Sequence, residues 1–179
     1  MRIGVGGALC ANFLVLPPGQ GPPADAATAT AVFLIPEALS SASITAPASA
    51  SLGSVTPGNT LTVQMGQVQV TSTSTMRWTA TVSATNFTTG AGSPGQTIAR
   101  GNLSYWSGPA TSKSGPGTFS PGQATAANKV TLDTARTAFS YTAVSSSNTS
   151  CIWKPTLIMS VPASAVSGAY TGTVTHSVA

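Results

Sequence analysis

Trp78-Thr79-Ala80-Thr81-Val82-Ser83-Ala84-Thr85 alternates apolar and hydroxyl-bearing residues without a break. Successive side chains of a β-strand point to opposite faces, so this octet describes a half-buried strand with one apolar and one wet face. The same period recurs outward from it. Leu61, Val63 and Met65 share one parity, and Val68 and Val70 the other, with Gly66 between them. A bulge or turn at that glycine lets both groups face one core. The polar tract Thr71 to Thr75 reads as a loop before the octet. Toward the N-terminus, Leu39 to Ala46 places Ala42, Ile44 and Ala46 on one face and is ended by Pro47. Thr28 to Ile35 is a further apolar candidate, stopped by Pro36.

Downstream, Gly90 to Gly95 and Gly108 to Gly122 carry Gly-Pro, Pro-Gly and Ser-Gly pairs and read as loops. Leu103, Tyr105 and Trp106 mark a short strand between them. Val130 to Leu132 and Phe139 to Val144 follow, and Ser145 to Ser150 is a polar loop. Trp153 to Val161 and Ala169 to Val178 close the chain around a turn at Pro162 to Gly168. No segment sustains a 3.6-residue period. Eight or nine short strands separated by such turns predict an all-β, antiparallel two-sheet sandwich.

The chain has little with which to do acid–base chemistry. Its only carboxylates are Asp25, Glu37 and Asp133, and its only histidine is His176. No Gly-x-Ser-x-Gly elbow accompanies the many serines. Glycoside hydrolysis needs two carboxylates across a cleft, and only Glu37 and Asp133 could serve. No metal-ligand spacing occurs, and no cofactor motif. A non-catalytic role is expected.

Residues 1–26 read as an imperfect export signal: Arg2, then an apolar stretch from Ile3 to Leu16, two Pro-rich steps and Ala24-Asp25-Ala26. That stretch is too short to span a bilayer, and no later segment is long and apolar enough. Residues 27–179 are then one domain, of a size that supports a core without staples. Past Ala26 stand six basic residues, Arg77, Arg100, Lys113, Lys129, Arg136 and Lys154, against Glu37 and Asp133. They are scattered and lack the concentrated stripe that nucleic-acid binding needs. A diffuse positive surface suits weak attraction to an anionic polymer such as a wall polyanion. Cys151 is the one cysteine past the signal, and beside Ile152 and Trp153 it reads as a small buried hydrophobe.

The stretch Gly168-Ala169-Tyr170-Thr171-Gly172-Thr173-Val174-Thr175-His176-Ser177-Val178, after the small-residue turn Val161 to Ser167, resembles the end of the WxL (Trp-x-Leu) domains of Gram-positive surface proteins. Trp78-Thr79-Ala80-Thr81-Val82, leading to Asn86-Phe87, stands where the first Trp-x-Leu strand of that family falls, and Leu52-Gly53 precedes the two strands before it. The resemblance covers residues 30 to 179. Ala80 replaces the first motif's Leu, and His176 and Val178 replace the second motif's Trp and Leu. The resemblance implies an immunoglobulin-like β-sandwich, secreted and held non-covalently at the cell wall, through peptidoglycan. No sorting motif or hydrophobic tail follows Val178, which fits non-covalent retention.

Four aromatic residues are the candidates for ligand contact. Trp78 shares a face with Ala80 and Val82 and reads first as core. Tyr105 and Trp106 are adjacent, so one ring should leave the core and could meet a sugar face. Trp153 precedes Lys154-Pro155, and the proline suggests a strand that starts at an edge or out of register. His176, sharing a face with Tyr170, Val174 and Val178, reads as a neutral, hydrogen-bonded residue at the core's edge. The expected partner is a wall glycan or polyanion. The alternative is other surface proteins, with the chain as a structural or interaction module that adds to a partner's sheet edge.

Overall fold

The computed structural model describes residues 42–179. The expected signal segment, the start of the domain at residue 27 and the strand expected at Thr28 to Ile35 lie outside the described residues. The strands in order are β1 (Ala42–Thr45), β2 (Thr60–Gln64), β3 (Val68–Ala84), β4 (Phe87–Thr88), β5 (Thr97–Ile98), β6 (Leu103–Trp106), β7 (Ala110–Ser114), β8 (Thr118–Pro121), β9 (Val130–Thr131), β10 (Arg136–Trp153), β11 (Thr156–Ser160) and β12 (Val174–Val178). All pairings are antiparallel. The all-β sandwich expected from the alternation is what forms.

Its backbone is one long ribbon made by β3 and β10. The alternation around Trp78 extends back to Val68: Val68, Val70, Ser72, Trp78, Ala80, Val82 and Ala84 are buried, and Met76 between them is exposed. Thr71 to Thr75 is therefore strand and not the expected loop. The buried Ser72 hydroxyl satisfies itself against Thr149 Oγ1 and Thr75 Oγ1, both at 2.7 Å. Buried hydroxyls with partners cost little, so the polar tract can sit on the core face. Ser145 to Ser150 is likewise strand, with Ser147 Oγ 2.9 Å from the Tyr141 hydroxyl.

That ribbon folds back on itself. Ser72 and Thr75, three apart, would lie about 10 Å apart on a straight strand, yet their hydroxyls touch. Phe139 and Trp153 belong to the same strand, where fourteen residues of extension would separate them by about 46 Å. Their rings stack with centroids 5.0 Å apart. The fold falls where Thr142 pairs with Arg77 and Ser147 with Thr75, so that residues 143–146 oppose Met76 alone. Met76 and Val144 are exposed at that bend.

One layer of the sandwich thus holds the Trp78–Ala84 and Arg136–Thr142 halves of the ribbon, flanked by β12 on β3 and β8 on β10. The opposite layer holds the Val68–Ser72 and Thr149–Trp153 halves, flanked by β1 and β7. It is prolonged by a four-stranded sheet in the order β2-β11-β6-β9. Gly66 marks a crossing from that sheet to the ribbon, which resolves the parity change from Met65 to Val68. Lys154-Pro155 interrupts the partner strand at the matching place, and the Met65 amide donates to the Pro155 carbonyl across the gap (2.7 Å). The strand expected at Trp153 to Val161 is thereby two strands. β11 is not an edge: it pairs with β2 on one side and β6 on the other.

The Gly/Pro-rich stretch from Gly108 to Gly122 contains β7 and β8, which lie end to end along β10. The break between them is Gly115-Pro116-Gly117, where both glycines have positive φ (109° and 103°). The Tyr141 hydroxyl donates to the Pro116 carbonyl there. Gly122 packs so tightly that an added Cβ would overlap the Thr137 carbonyl oxygen. Gly122→Ala must push backbone rather than a flexible side chain. It is expected to lower stability by about 2 kcal/mol or more, read as a fall in the denaturation midpoint.

Candidate functional site

Three of the four candidate aromatics are sealed inside. Trp78 is 2% exposed; it stacks on Tyr141 (centroids 6.0 Å, 21°) and meets the edge of Phe119. Its Nε1 donates to Thr149 Oγ1 at 3.1 Å, tying the two layers together at the ribbon's bend. Trp153 and Tyr105 are fully buried, and Trp153 stacks on Phe139. None of these three rings offers a face to a sugar, which corrects their candidacy as contact residues. Trp106 is the exception. β6 places Leu103 and Tyr105 on the core face and Trp106 on the other, half-buried. Its ring packs over Gly108, where φ is +69° and a Cβ would stand 3.4 Å from it.

A polar relay crosses the core behind these rings. Trp153 Nε1 donates to the Tyr105 hydroxyl oxygen (3.3 Å), and that hydroxyl lies 3.1 Å from His176 Nε2. Indole nitrogen can only donate, and His176 Nε2 is the acceptor within reach of the buried Tyr105 proton; in that tautomer the neutral ring carries its own proton on Nδ1. Burial favours this state, pushing the His176 pKa down to about 4. It also pushes the Tyr105 hydroxyl up, only partly countered by the Trp153 bond. His176 is thus the neutral, hydrogen-bonded residue its strand neighbours suggested. Its partner was not legible, since Tyr105 is 71 positions away.

The arrangement offers little to catalysis. His176 Nε2 is spent on Tyr105, and among the described residues no carboxylate orients the ring. The Cys151 thiol is pushed up to about 12 by burial, with Lys113 opposing the rise, so it is not a thiolate nucleophile near neutrality. Asp133 pairs with Arg136 at 2.6 Å, and Arg136 holds its carboxyl below the usual range. Among the described residues, no group of three or more His, Cys, Asp or Glu gathers where a metal could bind.

A cleft of about 700 Å³ opens on the surface. Its walls are two irregular stretches, residues 46–57 and 165–173, built of Ala, Ser, Gly, Pro and Thr with Leu52, Val55 and Tyr170 among them. Its floor reaches core residues, among them Val68, Phe87, Ile98, Leu157 and Met159, and His176 stands at its margin. Among the described residues, no Asp, Glu, Lys or Arg lines it. Gly172 lets one wall lie flat on Phe87, where a Cβ would come within 2.5 Å of the ring. Sequence reading passed over this cleft. Its one signal was that residues 46–58 are small, uncharged and without strand alternation.

The two strands that resemble Trp-x-Leu motifs become neighbours. β12 lies along β3 with Val178 opposite Ala80 and His176 opposite Val82, and Thr79 and Ala179 exchange both backbone hydrogen bonds (2.8 and 3.1 Å). No protein-family model matches the chain, and no curated protein matches it either.

Proposed function

We propose that this chain is an exported, non-catalytic binding module held at the cell envelope by non-covalent contact. The uncharged cleft, not an aromatic platform, makes that contact. The observation that carries this reading is the contrast between three aromatic rings closed into the core and a cleft of about 700 Å³ open to it with no charged residue among its described lining. Sugar recognition leans on planar polar side chains and exposed rings, and the described lining supplies just the half-buried Tyr170 and His176; with its apolar floor, the cleft suits an apolar component of the envelope better. The signal-like residues 1–26 and the Trp-x-Leu resemblance support the location.

The test is co-sedimentation with Gram-positive envelope fragments and, separately, with stripped sacculi, across a salt series. The protein is expected to pellet with whole fragments, stay in the supernatant with sacculi, and keep its binding as salt rises. Val55→Trp, which fills the cleft from its wall, should abolish pelleting. Retention by bare sacculi would refute the reading. A second reading, contact with wall glycan assisted by the positive surface, rests on the exposed side of Trp106; there Trp106→Ala would abolish binding to sacculi.

A further inference from the structure

We infer that the cleft is a binding site for a neutral acyl lipid: an aliphatic chain joined to an uncharged ester or amide carbonyl. This rests on the cleft being the contact site and names what it takes.

The chain portion follows from the floor and walls. The floor is apolar and reaches the core, so an aliphatic ligand there buries its surface against carbon. Met65 and Met159 line it, and unbranched thioethers adapt to a flexible guest better than branched side chains do. The walls carry small residues, which leaves a trough and not a set of shaped side-chain pockets. Its volume falls within the roughly 300–1,000 Å³ of small-molecule sites.

The head of the ligand follows from charge and from His176. With no cation among the described lining residues, a carboxylate or phosphate would lose its water and gain no ionic partner. With no carboxylate among them, an amine fares the same. What remains is neutral: the Ser and Thr hydroxyls of the walls, and the one ring nitrogen donor of His176. With Nε2 accepting the Tyr105 proton, the neutral His176 ring carries its own proton on Nδ1. Among the described residues, no protein acceptor takes that proton. A half-buried donor at the margin of an apolar cleft calls for a neutral acceptor, and a carbonyl at the end of an acyl chain supplies one.

The full chain is titrated with monopalmitoyl glycerol below its aggregation threshold, and separately with phosphatidylcholine vesicles carrying it. These arms tell a free lipid from a membrane-held one. Displacement of N-phenyl-1-naphthylamine, a neutral dye, reports occupancy. Saturable one-to-one binding is expected. Palmitate at alkaline pH should bind at least about tenfold more weakly, because its carboxylate must be desolvated. His176→Phe, which keeps a ring and removes the donor, should weaken monopalmitoyl glycerol by about five- to tenfold. Val55→Trp and Ser51→Trp, from two points of one wall, should each abolish binding; a variant counts only if its melting temperature is kept.

Three results would overturn the proposal. The first is no saturable uptake of the monoglyceride in either arm. The second is uptake that both tryptophan variants leave intact. The third is palmitate bound as well as the ester. If an uncharged apolar decapeptide binds the cleft and the lipid does not, the acyl assignment fails while the cleft stands as the contact site. If neither binds and Val55→Trp leaves envelope pelleting unchanged, both fail together.

Discussion

Trp153→Ala is expected to remove about 3–5 kcal/mol of folding stability, the range for deleting a buried large aromatic. The indole is fully buried, stacks on Phe139 at 5.0 Å and supplies the donor that sets the Tyr105 hydroxyl. Its loss opens a void between the folded-back halves of the ribbon and takes one hydrogen bond from a buried oxygen. Domains of this kind keep only about 5–15 kcal/mol in total, so the variant should sit near the edge of folding. Trp153→Phe, which keeps the stack and loses only the N–H, should cost less than half as much. Trp106→Ala should cost under about 1 kcal/mol, since that ring is half outside. Urea denaturation of the three variants reads the order directly. A loss at Trp153→Ala no larger than at Trp106→Ala would mean that the ribbon does not fold back as described.

That order also marks how much of the molecule its residues announce. The octet from Trp78 announces a strand, and its parity identifies the core face, because that information is local and has a fixed period. The adjacent pair Tyr105 and Trp106 had to split between faces, and it does. The long ribbon was hidden because hydroxyl-rich tracts at Thr71 to Thr75 and Ser145 to Ser150 read as loops by composition. What makes them strand is a set of pairings between residues far apart in the chain. Ser72 and Thr149 are 77 positions apart, and each is acceptable inside only because the other is there. The cleft was hidden for a related reason. Nothing in residues 46–57 or 165–173 taken alone shows that both stretches flank one opening onto Leu157 and Met159.

The register ties the last strand to the core. Ala80 and Val178 are directly paired across β3 and β12. His176 is the residue that reaches Tyr105 in the other layer. What histidine adds is a response to acid.

Between pH 6.5 and pH 4 the protein is expected to lose on the order of 2–3 kcal/mol of stability through His176 alone. The sign follows from the two states. Unfolded, the ring titrates near its ordinary 6.5; folded, burial holds it down to about 4. In that window the unfolded chain binds the extra proton and the folded one does not. Stability is therefore complete above pH 6.5 and falls as acid is added, levelling off below about 4. No charged group shares in the shift, which comes from desolvation. Asp133, whose carboxyl is held low by Arg136, loses its contribution only at more acidic pH, so the window belongs to the histidine. Protonation also turns Nε2 from acceptor to donor. The Tyr105 proton then loses its acceptor while its oxygen faces two donors, which weakens the tie between β12 and β6. The amides of Val174 to Val178 should therefore exchange with solvent sooner than those of β10 as the pH falls. His176→Gln can still accept from Tyr105 but cannot titrate, and it should flatten the stability curve between pH 6.5 and 4. A wild-type curve already flat across that window would mean that the ring is not held neutral in the fold.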